Sequence, residues 1–196
     1  MTNFSDIQHP RSSASGQFML LAHSQPEEIV HLLDESNAPH FDEWAGGVKA
    51  RLILPDGPAE LRDALDVAAD PCSAPTVIRI SHPMAWIVDP FDGGPQNRPV
   101  LMEILTDPGP IIVKSGHAVI YVTSPRSLEV EALNDAELVV VIAPGCSAVI
   151  TARDASRVRV SLGMGARGAL RLASAAAFGE IDGNQTSFTR ADTYLW

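Results

Sequence analysis

Short apolar stretches, rich in β-branched side chains, recur about every ten residues through the C-terminal half of this chain. Their centres are Val119, Val130, Val139, Val149, Val158, Leu170 and Ile181. Turn-forming or small residues separate them: Ser124-Pro125, Asn134-Asp135, Pro144-Gly145, Asp154-Ala155, Gly163-Met164-Gly165 and Ala173-Ser174. Runs this short, punctuated this regularly, predict a stack of short strands. No helix is expected from Ile111 to Gly168, whereas the alanine-rich stretch from Ala169 to Ala177 could be helical.

The N-terminal part reads differently. The stretch 1–16 is polar and expected to be mobile. Phe18–Ala22 suits a strand. A helix should follow, with Ser24 and Glu27 at capping-box spacing, Pro26 in its first turn, and Ile29, Val30, Leu32 and Leu33 as its apolar stripe. Val48–Leu54 reads as a strand. Asp56-Gly57-Pro58 opens a second helix with Leu61, Ala64, Leu65 and Ala68 at helical spacing, ending at Pro71. Thr76–Ile80 and Ala85–Val88 are further strands, divided by His82-Pro83. Residues 17–88 therefore predict a small mixed α/β unit. A proline- and glycine-rich exposed loop, 89–99, joins it to an all-β body, 100–181, and a tail, 182–196. The fold class expected is α+β.

Strands at this spacing have two physical solutions. One is a parallel β-solenoid, in which each strand stacks on its equivalent in the previous coil. The other is an antiparallel sandwich or jelly roll. Small residues ahead of the strands (Ala136, Cys146, Ala155, Ala166) suit the tight corners of a solenoid. No Asn-Gly or Asp-Gly hairpin signal lies between the strands; Asp92-Gly93 and Asp182-Gly183 fall outside the series. Both details favour the solenoid.

The segments Ala132–Val141, Cys146–Ala152 and Asp154–Val160 resemble the short Asp-Ala-Ser-x-Val-x-Ala repeats of β-helical proteins common in actinobacteria and their phages. The likeness spans residues 128–181. It implies a right-handed β-helix and an adaptor or interaction role, and it transfers no functional residue.

Charge narrows the partners. Lys and Arg total 14 against 24 Asp and Glu, a net charge of −10. That balance disfavours nucleic acid and anionic membranes, both of which demand concentrated positive charge. The acids are dispersed, as suits a solvated surface. The start of the chain is polar and no stretch is apolar enough to span a bilayer, so a cytoplasmic protein with unbridged cysteines is expected.

Candidate chemistry is sparse. Gly163-Met-Gly-Ala-Arg-Gly168 matches a dinucleotide fingerprint in letters, but it lacks the second strand ending in an acid that such a site requires. The six histidines form no metal-ligand pair, and His40-Phe-Asp-Glu-Trp44 has no second cluster to complete a coordination sphere. Ser115 and His117 share a strand face, yet no nucleophile elbow surrounds them. Cys146 reads as a small buried residue at a corner.

The expectation is a non-catalytic protein-interaction module without a cofactor, able to self-associate. The resemblance extends this to a phage-type accessory protein that inhibits a host protein or defence complex. Its contact residues would be Phe91, Asp92 and Arg98 on the loop and Tyr194 and Trp196 in the tail, because aromatic anchors on non-core segments suit protein contacts. Docking of that tail onto the open end of the stack is an equal alternative. The rival is an enzyme or small-ligand binder with His117, Tyr121, Glu129, Glu131 and Arg159 pointing into a jelly-roll pocket. A third reading, an acidic mimic of nucleic acid, needs Glu129, Glu131, Asp135 and Glu137 on one exposed face.

Overall fold

The computed structural model describes residues 51–70, 76–90, 99–106, 108–123, 126–183 and 187–193. The strand expected at Phe18–Ala22 and the capped helix after Ser24 lie outside them. The described chain is a β-solenoid of parallel strands with one short helix. Strands β1 (Arg51–Ile53), β2 (Thr76–Ile80), β4 (Val100–Ile104), β6 (His117–Val122), β8 (Glu137–Ile142), β10 (Arg157–Leu162) and β12 (Phe178–Gly183) line up in that order as sheet A. Strands β3 (Trp86–Val88), β5 (Ile111–Val113), β7 (Ser127–Ala132), β9 (Ser147–Ala152), β11 (Arg167–Leu172) and β13 (Phe188–Asp192) form sheet B. Every strand pairing is parallel, which rules out the antiparallel sandwich.

The repeat sets the register. Ala118 pairs with Leu138 and Leu138 with Val158, and on the other sheet Leu128 pairs with Ala148 and Ala148 with Gly168. A coil is thus 20 residues, matching the separation at which Asn134 reaches back to the Lys114 carbonyl. The ten-residue period in the sequence is half a coil, and successive strands alternate between sheets. Side chains alternate across each strand. Ala118, Ile120 and Val122 point inward and stack on Leu138, Val140, Ile142 and then Val158, Val160, Leu162. From the opposite wall come Leu128, Val130 and Ala132, then Ala148, Ile150 and Ala152. These side chains are buried in one continuous core.

Corners repeat as faithfully as strands. Ala136, Cys146, Ser156, Ala166 and Ala177 each donate a backbone N–H to the carbonyl three residues earlier, closing a tight turn. Asn134 and Asp154 take up a left-handed backbone, with φ of 51° and 53°, which Asx side chains tolerate best. Their side chains join the coils. Asn134 Nδ2 donates to the Lys114 carbonyl at 2.9 Å, the Asn134 N–H donates to Asp154 Oδ2 at 2.9 Å, and Ser174 Oγ donates to the Asp154 carbonyl at 2.8 Å. The small buried corner residue beside this ladder is Ser156, not Ala155, which is exposed.

The helix α1 (Pro58–Ala69) follows β1 in the place where chain order would put a strand of sheet B. It packs against β2, β3 and β4 and buries Leu61, Ala64, Leu65 and Ala68 in the core. The strands expected within an α/β unit at residues 17–88 are, where described, hydrogen-bonded into the same two sheets as the β body. Residues 169–177, read as a strand centred on Leu170 with a helix as the alternative, complete β11 and turn into β12. The parallel ladder with β9 overrides local alanine propensity.

Three substitutions test this architecture. Gly168 has φ of +137°, and a Cβ there would stand 1.7 Å from the Ala148 carbonyl oxygen. Gly168→Ala should cost about 3 kcal/mol or more. Gly145, with φ of +75° and open space around it, should lose only about 1–2 kcal/mol as alanine. Ser156 is fully buried and its hydroxyl has no hydrogen-bond partner, while Ala136 holds the equivalent corner one coil earlier. Ser156→Ala should therefore stabilise by about 1 kcal/mol. Urea unfolding midpoints of the three variants check all of this.

Candidate functional site

The two sheets show solvent different outer faces. Sheet B alternates cleanly. Leu128, Val130 and Ala132 go inward while Ser127, Glu129 and Glu131 go outward, and β9 repeats the pattern. Sheet A is apolar on both faces over its central strands, as in His117-Ala-Val-Ile-Tyr-Val122 and Glu137-Leu-Val-Val-Val-Ile142. Its outer face becomes polar at β10 and β12, where Arg157, Arg159, Glu180 and Asp182 point outward.

A groove of about 520 Å³ runs across the beginnings of β6, β8, β10 and β12 on that outer face. Pro99 lines one end and Phe178 the other. The register builds it from two columns. One is His117, Glu137, Arg157 and Phe178; the next is Val119, Val139, Arg159 and Glu180. The valines make an apolar floor and the charged residues form a rim. His117 Nδ1 lies 2.9 Å from Glu137 Oε2. Arg159 holds Glu180 with both Nε and Nη2 on Oε2, at 3.1 and 3.0 Å. Arg157 sits between these two pairs, exposed, and makes no ion pair of its own among the described residues. Phe178 is 52% exposed beside it.

This arrangement suits binding. Arg157 offers a planar fork of donors to a carboxylate, and Phe178 and the valines offer apolar surface next to it. Ser115 and Cys146, weighed as nucleophiles and set aside from the sequence, lie outside the groove. The Ser115 hydroxyl donates to Asp89 Oδ1 at 2.6 Å. Cys146 carries a buried thiol whose pKa burial pushes above its ordinary value, so little of it is thiolate at neutral pH. Among the described residues, no three His, Cys, Asp or Glu side chains come together to hold a metal, and no helix is long and apolar enough to cross a membrane.

The sequence-level candidates fare unevenly. Phe91, Asp92, Arg98, Tyr194 and Trp196, the expected protein-contact residues, lie outside the described residues, as does His40–Trp44. Pro99, the last residue of the expected loop, lines the groove. The jelly-roll pocket does not exist. His117, Tyr121 and Arg159 belong to the outer face of sheet A, Tyr121 being buried there, while Glu129 and Glu131 point outward from sheet B, where Glu131 pairs with Arg153. The four carboxylates of the mimic reading divide in the same way: Glu137 is on sheet A, Glu129 and Glu131 are on sheet B, and Asp135 is at a corner. Gly163–Gly168 turns a corner into β11, so no helix N-terminus stands behind it for a pyrophosphate. The groove is invisible to local sequence patterns because its neighbouring side chains stand a full coil apart in the chain. The visible signal was the charged start of successive sheet A strands: His117, Glu137 and Arg157.

The thiol reading is directly measurable. Alkylation of the native protein by iodoacetamide at neutral pH, mapped by peptide mass, should leave Cys146 unmodified over hours and label it fully in denaturant.

Set against protein-family models, curated proteins and solved structures, the chain matches none of them.

Proposed function

We propose that the protein acts by binding another protein, with the groove on sheet A as the contact site. The occupant is an extended polypeptide segment that sets an acidic side chain against Arg157 and an apolar one against Phe178. The observation that carries this reading is the exposed Arg157 over an apolar floor, unpaired among the described residues, between the His117–Glu137 and Arg159–Glu180 pairs. An apolar centre with a polar rim is the usual anatomy of a recognition surface, and Arg and aromatic residues dominate its energetics. The neighbouring ion pairs also support it. They occupy His117 and Arg159 on either side of Arg157, so a partner's carboxylate meets a single defined donor.

The loop residues Phe91, Asp92 and Arg98 precede Pro99 in the chain, and in this reading they add contacts at that end of the groove. Tyr194 and Trp196 are proposed as contacts of the same partner. An accessory role in which the bound protein is a host enzyme or defence complex, inhibited by the contact, rests on the resemblance of residues 128–181 to phage and actinobacterial repeats alone.

The test compares three full-length variants on one purified partner, identified from a native lysate by stoichiometric recovery. Arg157→Glu and Phe178→Ala should each weaken the partner's Kd at least tenfold by calorimetry, a loss of about 1.4 kcal/mol or more. Arg171→Glu, on the outer face of sheet B, should leave it unchanged. Wild-type affinity in both groove variants, or equal loss in all three, would overturn the reading.

A further inference from the structure

The C-terminal end of the solenoid breaks its own pattern. β12 and β13 are the last strands of their sheets among the described residues. One coil earlier, the inward positions are Val158, Val160 and Leu162 on sheet A and Gly168, Leu170 and Leu172 on sheet B. Register sets Gly179, Ile181 and Gly183 on the first three and Phe188, Arg190 and Asp192 on the second. Only Ile181 and Phe188 continue the apolar columns. The coil below fills the room that glycine leaves: a Cβ at Gly179 would stand 2.7 Å from Leu170 Cδ2 and 2.8 Å from Leu172 Cδ2. Both leucines are fully buried, so the aliphatic core ends with them.

Arg190 crosses the opening above that core. It belongs to sheet B, yet its Nη1 donates to the Gly179 carbonyl on sheet A at 2.9 Å, and its Nε lies 3.5 Å from Asp192 Oδ1. The N–H and C=O of one strand residue point to the same side. Phe178 turns its N–H back to the Ser156 carbonyl, so the Gly179 carbonyl points away from β10, toward where a further strand would lie. Arg190 therefore occupies an acceptor that an added strand would need.

We propose that this last coil is a terminus that refuses a second copy of the chain. Edge strands elsewhere invite pairing between molecules, and inward-pointing charges are one way to forbid it. A strand laid on β13 would carry Arg190 and Asp192 into the core, taking two half-exposed charges out of water with only each other for compensation. The self-association expected from the sequence then runs through another surface. The inference does not depend on what the groove binds.

Charge removal in the full-length chain tests it. Arg190→Met with Asp192→Leu keeps side-chain bulk and discards both charges. Light-scattering mass should double at protein concentrations where the wild type keeps its own value, as two freed ends pair. Amide exchange in the β12 and β13 peptides should slow with it. Arg190→Lys, which keeps the charge, should hold the wild-type mass. Equal masses for the double variant and the wild type, with the strand signal in circular dichroism retained, would overturn the proposal. So would doubling without slower exchange in β12 and β13, or the same doubling in Arg190→Lys. If the double variant loses its strands, Asp192→Leu alone is read in the same way.

Discussion

The parallel ladder between equivalent strands of successive coils is the constraint on which the remaining structure rests. It stacks like on like. Isoleucine, valine and leucine meet their counterparts at one strand spacing, so burial is continuous along the axis and no coil completes its core alone. The same ladder fixes the corners, where the Asn134–Asp154–Ser174 contacts join one coil to the next through side chains. It also fixes the groove, because only this register brings His117, Glu137 and Arg157 into one column. Hydrophobic burial drives the stacking, and the ladder decides which residues share it.

Much of this was legible in the sequence, because short strands with turns between them need only local information. The strands from Thr76 to β12 fall where apolar, mostly β-branched runs stand between turn residues, and α1 falls where Leu61, Ala64, Leu65 and Ala68 keep helical spacing; β13 was missed, lying in the stretch read as a tail. The errors have a common cause. Alanine at 169–177 favours a helix locally, but a strand there continues a ladder already formed by β9, and that gain outweighs propensity. Ala155 and Ser156 exchange roles because a one-residue shift reverses inside and outside in an alternating chain. The groove was hidden for a different reason. None of its columns is contiguous in sequence, and pairing across a whole coil is visible only once alternate strands are known to belong to different sheets.

The two sheets also divide the labour of the surface. Sheet B spends its outer positions on Ser127, Glu129, Thr151, Arg167 and Arg171, which keep it wetted. Sheet A places valine, leucine and tyrosine outward over its central strands, beside the Arg79–Glu103 pair on β2 and β4 and His117 and Glu137 at the starts of β6 and β8, and is charged again at β10 and β12. The apolar outward positions are thus concentrated on the middle strands, between charged pairs on either side. The groove lies where the middle strands meet β10 and β12, so apolar floor and charged rim are both within reach of a single occupant.

The two-strand coil has a consequence for how this chain can change its length. Removing or duplicating one whole coil, such as 137–156, returns every later strand to its own sheet with inward and outward positions unchanged. Removing half a coil would send each later strand to the opposite wall. The alternating strands would then meet the apolar ones, and glutamates and serines would stand in line with valines and tyrosine. Insertions and deletions are thus quantised. The fold can be lengthened or shortened by whole coils, and a half-coil change costs it the distinction between its two faces.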